Sequence, residues 1–119
     1  MILKRIEGSE LSSVIFIRDY IQLTFEGDQC DSKLTAFTTP VIRIRNDSVS
    51  YRYGESGYCD KMCDLINQTV EAVKEYPDKE VKILFTNGVY FSISLREEDY
   101  EGPEAMMFQD NNLNEWEVW

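Results

Sequence analysis

The 119-residue chain contains no histidine. Histidine is the commonest general base and the usual imidazole ligand of zinc and iron, so its absence excludes His-dependent triads and the common metal-ligand sets. The chain also lacks a glycine-rich phosphate loop and the regular Asp, Asn and Gly spacing of a calcium loop. We therefore assign no catalytic residue, no cofactor-binding residue and no metal ligand, and we expect a binding protein rather than an enzyme.

Cysteine is scarce, with three residues at Cys30, Cys59 and Cys63. An odd number fits a reducing compartment better than a disulfide framework. Cys59 and Cys63 lie one helical turn apart and could chelate a metal with Cys30 and an acidic residue. Structural zinc sites usually take four Cys or His ligands, however, and free cysteine is a common core residue. We interpret Cys59 and Cys63 as core thiols.

Long apolar runs are missing as well. None approaches the ~18 residues of a membrane helix, and the charged first ten residues lack the apolar stretch of a signal peptide. We expect a cytoplasmic protein.

The formal charge is −10, from 22 acidic and 12 basic residues. This charge argues against nucleic-acid and anionic-membrane partners and favours a basic protein partner, although acidity can also serve solubility alone.

The clearest structural pattern is a β-hairpin at residues 80–95, around Asn87-Gly88. A three-residue loop with Gly88 in the left-handed conformation pairs Ile83 with Phe91 and Val81 with Ile93. This register collects the large apolar residues on one face, and a slip of one residue would turn one strand's apolar set towards water. We therefore predict the three-residue loop rather than a two-residue one.

Alternating apolar residues predict further strands at 11–17, 20–25, 30–37, 41–45 and 48–53. Residues 58–66 predict a helix, with Cys59, Met62, Cys63 and Ile66 on its buried face. Three of the six arginines fall on the hairpin formed by residues 41–53, whose predicted register sets Ile42 opposite Tyr51.

Residues 6–27 and 65–88 resemble each other. Ile21, Leu23 and Phe25 align with Val81, Ile83 and Phe85 at a separation of 60, and Gly8 aligns with Asn67 at a separation of 59. The alignment predicts a strand at 69–75, whereas the helical spacing of Val70 and Val73 supports one helix out to Tyr76. We favour the strand. The predicted fold is a single α+β domain, residues 1–119, of mostly antiparallel sheet built from two similar hairpin units with one short helix.

The segment 97–119 has eight acidic residues and no basic one. Its apolar content is too high for a disordered tail, and it predicts short strands at 105–108 and 115–119. Trp116 and Trp119 fall on opposite faces of the second strand, so we expect one buried and one exposed tryptophan. We also expect Glu104 to have a defined partner, such as an arginine of the 41–53 hairpin.

Several short motifs carry a resemblance to a family. They are Phe25-Glu26-Gly27, Phe85-Thr86-Asn87-Gly88, Ser94-Leu95, Asp99, Gly102-Pro103-Glu104-Ala105 and Val118-Trp119. In these motifs the chain resembles a group of small uncharacterised bacterial proteins with paired Phe-x-Gly hairpins and a Gly-Pro-Glu-Ala…Val-Trp terminus. Several such small acidic families are immunity proteins encoded beside toxins, and the resemblance implies that role here.

Three functional hypotheses follow. The first is a protein-binding module of immunity or inhibitor type that engages a basic partner through Glu101, Glu104, Trp116 and Trp119. The second is a small-ligand-binding protein or enzyme with a pocket between sheet and helix. The third is a homo-oligomer that pairs through an edge strand or through Trp119.

Overall fold

The computed structural model describes residues 1–119 and contains ten β-strands, one α-helix and two 3-10 helices. The strands are β1 (Glu10–Ile17), β2 (Tyr20–Gly27), β3 (Cys30–Ala36), β4 (Val41–Ile44), β5 (Ser50–Tyr51), β6 (Val70–Tyr76), β7 (Glu80–Phe85), β8 (Val89–Ser94), β9 (Met106–Asp110) and β10 (Glu115–Val118). Helix α1 spans Tyr58–Cys63, and the 3-10 helices span Ile2–Ile6 and Glu97–Asp99. The predicted α+β class is confirmed.

The strands form two five-stranded sheets. Sheet A has the order β1-β2-β3-β9-β10 and sheet B the order β5-β4-β8-β7-β6, with every pairing antiparallel. Alternate side chains of both sheets point inward, and 24 buried residues form one continuous core. Its largest fully buried side chains are Tyr58, Phe25, Phe85, Phe91 and Phe108. Because both sheets contribute to this core, each depends on the other to remove its apolar face from water.

The predicted hairpin registers are confirmed. Val81 lies opposite Ile93 and Ile83 opposite Phe91 in the β7–β8 hairpin, and Gly88 has a φ of +88°. The β4–β5 hairpin places Ile42 opposite Tyr51, also as predicted. In both hairpins every second residue is apolar and points inward. A slip of one residue would turn the apolar side chains of one strand towards solvent, so the alternation decides both registers.

Two similar hairpin units are present, and β6 confirms the strand interpretation of residues 69–75. The β1–β2 pairing shifts register between Leu11 and Ser13, and the β6–β7 pairing does so between Val70 and Ala72. These bulges occupy aligned positions, at a separation of 59 residues. The aligned residues Gly8 and Asn67 both have positive φ, +86° and +76°, as expected of two residue types that tolerate the left-handed region.

The two units meet through reciprocal hydrogen bonds. The Gly8 amide donates to the Val70 carbonyl at 2.9 Å, and the Asn67 amide donates to the Leu11 carbonyl at 2.7 Å. The alignment of the units exchanges Gly8 with Asn67 and Leu11 with Val70, so these two bonds are equivalent. An approximate two-fold axis therefore passes between the starts of β1 and β6, which also form a bridge from Glu10 to Thr69.

The units also exchange strands, which the sequence patterns did not predict. Strands β4 and β5 follow the first unit along the chain but belong to sheet B, where β4 pairs with β8 and β5 pairs with β4. Strands β9 and β10 follow the second unit but belong to sheet A, where β9 pairs with β3 and β10 pairs with β9. Each sheet is thus completed by strands from the other half of the chain.

The predicted buried face of α1 was right for Met62 and wrong for Cys59 and Cys63. The helix ends at Cys63 rather than Ile66, and its region buries Tyr58, Met62 and Leu65 while Cys59 and Cys63 are exposed. Tyr58 sets this orientation, because its ring is in the core and its hydroxyl donates to the Pro40 carbonyl at 2.6 Å. The interpretation of Cys59 and Cys63 as core thiols is therefore overturned, and only Cys30 is buried.

Candidate functional site

Glu101 and Glu104 lie on one side of a small notch at an end of sheet A. The notch has a volume of about 320 Å³ and is lined by Asp19, Tyr20, Phe37, Glu101, Gly102, Pro103 and Glu104. The aromatic rings of Tyr20 and Phe37 lie 5.6 Å apart between their centroids. The notch is therefore lined by three carboxylate side chains and by the two aromatic rings of Tyr20 and Phe37. No basic residue lines it.

The backbone fixes the two walls of this acidic notch relative to each other. The Ala105 carbonyl accepts hydrogen bonds from the amides of Phe37 and Thr38, at 2.8 and 2.9 Å. These bonds attach the Gly102-Pro103-Glu104 segment to the end of β3. Asp19 comes from the β1–β2 turn, and Tyr20 is the first residue of β2. Sequence reasoning missed Asp19, Tyr20 and Phe37, because they are distant in sequence from Glu101 and Glu104.

The two tryptophans differ in exposure, in line with their predicted opposite faces. Trp116 is 64% exposed. Trp119 is half-buried against the core, and its indole Nε1 donates to Glu75 Oε2 at 3.0 Å. The Trp119 carbonyl also accepts a bond from the Ala105 amide at 2.7 Å. Trp119 therefore holds the end of β10 in place, and Trp116 is the tryptophan free to contact a partner.

Trp116 and Val118, two residues apart on β10, are both exposed on the outer face of sheet A. Val118 lies opposite Met107 of β9, and Met107 lies opposite Thr35 of β3. This row then passes through Thr35, which is only 3% exposed, and the polar Gln22 before it reaches the exposed Ile15 of β1. The exposed apolar surface beside Trp116 is therefore confined to β10 and its neighbour β9, and an exposed tryptophan is a common anchor residue in protein interfaces.

Three of the eight C-terminal acids accept hydrogen bonds from the first 3-10 helix. Arg5 Nη1 donates to Asp110 Oδ2 at 3.0 Å and to Glu115 Oε1 at 3.4 Å, and the Ile2 amide donates to Glu117. Burial raises the pKa of the Asp110 carboxyl, but the bond from Arg5 and those from the Leu113 and Asn112 amides outweigh it, so the net pKa is lowered. These contacts attach the first 3-10 helix to the β9–β10 hairpin.

The expected arginine partner of Glu104 is not found. Glu104 forms no ion pair, and Arg45 pairs with Glu71 at 3.0 Å. Arg43 and Arg52 line a different groove, on sheet B. No group of three or more Cys, Asp or Glu side chains is arranged to hold a metal ion.

Comparisons of the chain with protein-family models, with curated proteins and with solved structures found no match. None of its helices has the length and apolar character needed to cross a membrane.

Proposed function

We propose that the protein is a binding module for a basic protein partner, with the acidic notch as the receptor for a lysine or arginine side chain. The supporting observation is the convergence of Asp19, Glu101 and Glu104 around Tyr20 and Phe37. The carboxylates complement a cationic head group, and aromatic faces attract cations while also covering an aliphatic stem. The chemistry of the notch therefore favours a long basic side chain over an acidic or neutral one.

Exposed Trp116, with Val118 beside it on β10, supplies the second part of this interface. Charges at an interface rim act mainly on the encounter rate, and a buried aromatic acts mainly on dissociation. The acidic notch and Trp116 therefore have different kinetic roles in the same complex. The resemblance to small immunity-type proteins suggests that the partner is a basic enzyme and that binding inhibits it.

The test begins with capture of partners from the native host and identification by mass spectrometry, followed by kinetic measurements with the purified partner. Glu101→Lys and Glu104→Lys should slow association and flatten its salt dependence. Glu26→Lys is the matched control, because it reverses the same charge on an exposed residue at the opposite end of β2 from Tyr20. Trp116→Ala should speed dissociation, with a loss of ~2–4 kcal/mol in binding free energy.

Two results would contradict the proposal. One is a captured partner that is acidic and binds equally well to the wild type and to Glu101→Lys. The other is an equal loss of association rate in Glu26→Lys and Glu101→Lys. That result would mean that the net charge of the protein, and not the notch, sets the association rate.

A further inference from the structure

A second groove, on the outer side of sheet B, gathers a third of the basic residues of this acidic chain. It has a volume of about 470 Å³ and lies across β4, β8 and the segments beside them. Its charged and hydroxyl-bearing side chains are Thr38, Thr39, Arg43, Arg52, Tyr53, Lys79, Glu80, Ser92, Ser94, Arg96, Asp99 and Glu101. Four of the 12 basic residues thus face one cavity in a protein of net charge −10.

None of these four cations is in an ion pair. The three ion pairs of the structure involve only Arg5 and Arg45 among the basic residues. In a chain with 22 acidic residues, unpaired cations held close together repel one another, at a cost that a bound anion would remove. Arg43 is also half-buried in its strand, so part of its side chain is already withdrawn from solvent.

Two of the three acidic residues of the groove lie on the wall beside β8, and the third, Glu101, lies at its rim. Glu80 accepts a hydrogen bond from the Ser92 hydroxyl at 2.8 Å, and Asp99 accepts one from the Ser94 hydroxyl at 2.5 Å. Lys79 and Arg96 belong to the same wall, where the Leu95 amide donates to the Lys79 carbonyl at 2.9 Å. The positive charges of Lys79 and Arg96 offset the negative charges of these two carboxylates.

The β4–β5 hairpin contributes Arg43 and Arg52 to the groove and no acidic residue. Arg43 lies opposite Ser50 in the β4–β5 hairpin, and Arg52 follows two positions after Ser50. Diagonal positions of this kind place two long side chains within reach of one ligand. Two guanidinium groups that line one cavity are typical of sites that bind oxyanions in a bidentate manner.

We propose that this groove binds the phosphate group of a small solute, with Arg43 and Arg52 as the direct ligands. A tetrahedral phosphate can accept hydrogen bonds from several directions at once, which suits donors carried by two strands. A planar carboxylate can accept two hydrogen bonds from one arginine as well as a phosphate can. It has fewer oxygens left to accept hydrogen bonds from a second arginine. The cavity volume suits a small phosphorylated molecule. This site is separate from the acidic notch, although Glu101 lies at the rim of both.

The experiment is calorimetric titration of the full chain with pyrophosphate, and in parallel with citrate, both at fixed ionic strength. Arg43→Ala and Arg52→Ala should each weaken pyrophosphate binding by about tenfold to a hundredfold, the usual effect of losing hydrogen bonds to a charged group. Arg45→Ala is the matched control, since it removes the same charge from the same hairpin outside the groove. It should change binding less than about twofold, because an exposed ion pair contributes little.

Pyrophosphate binding that depends on Arg43 and Arg52 but not on Arg45, and that exceeds citrate binding, would support the proposal. Citrate binding as tight as pyrophosphate binding would overturn the assignment of phosphate. Equal losses in Arg45→Ala and Arg43→Ala, or no binding by the wild type, would overturn the site. Far-UV circular dichroism of each variant distinguishes a lost ligand contact from a lost fold.

Discussion

Asp110 connects two distant parts of the chain through a single carboxylate. It is 6% exposed and accepts hydrogen bonds from Arg5 and from the backbone amides of Asn112 and Leu113. These donors favour the charged form, and the pKa of the carboxyl is lowered in the folded protein. The unfolded chain therefore takes up the proton first as the pH falls, so the contribution of this carboxylate is present above the unfolded pKa of about 3.9 and is lost below it.

We predict that Asp110→Asn destabilises the protein at pH 7 and that its difference from wild type shrinks as the pH falls from about 4 towards 2. Urea unfolding at several pH values measures this difference. Asp28→Asn, which removes a carboxylate from an exposed turn, is the control and should have a small effect throughout. A difference between Asp110→Asn and wild type that stays constant down to pH 2 would contradict the role of the charged form.

At the scale of elements, periodicity predicted strands better than it predicted the helix. The β7–β8 register followed from the alternation of apolar and polar residues. A strand has only two faces, and a register shifted by one residue would expose all the apolar side chains of one strand. Helix α1 has two overlapping sets of apolar residues at helical spacing. The pattern of Cys59, Met62 and Cys63 and that of Tyr58, Met62 and Leu65 are both compatible with a helix. Tertiary contacts of Tyr58, above all its bond to Pro40, decide which set is buried.

The corrected face of α1 gives a prediction with two readouts. Met62→Ala should cost ~2–5 kcal/mol of stability, as large-to-small core changes do, whereas Cys59→Ala and Cys63→Ala should stay within about 0.5 kcal/mol, as surface changes do. Denaturant melts measure these values. In the native protein a thiol reagent should label Cys59 and Cys63 quickly and Cys30 only on unfolding. Rapid labelling of all three cysteines would contradict the burial of Cys30.

The whole molecule separates its charges in a way that composition alone does not show. The acidic notch is lined by carboxylates without a basic residue, and the groove on sheet B takes Arg43 and Arg52 from a hairpin that contributes no acidic residue to it. Composition drew attention to Glu101 and Glu104, but Asp19, Tyr20 and Phe37 join them only because β2 and β3 bring them to the same end of sheet A. Periodicity tells which way a side chain faces and not which strands are neighbours, so neither site could be assembled from sequence.

The exchange of strands between the two units has a thermodynamic consequence. Residues 1–53 supply two strands to sheet B, and residues 58–119 supply two strands to sheet A. The hydrogen bonds from Gly8 to Val70 and from Asn67 to Leu11 also cross between the halves. If either half unfolded alone, the other would lose two strands of its sheet and the facing side of its core. We therefore predict a single cooperative unfolding transition, as small domains with one core usually show.

Urea unfolding followed by two probes tests this cooperativity. Tryptophan fluorescence reports on the second half of the chain alone, because both tryptophans are in β10 or directly after it, whereas far-UV circular dichroism reports on strands throughout. The two curves should coincide in midpoint and in slope. Trp116→Phe is the informative variant, since it leaves fluorescence to Trp119, whose indole bond to Glu75 connects the end of β10 to β6. A fluorescence transition at lower urea than the circular dichroism transition would mean that the halves unfold separately, despite the strands they share.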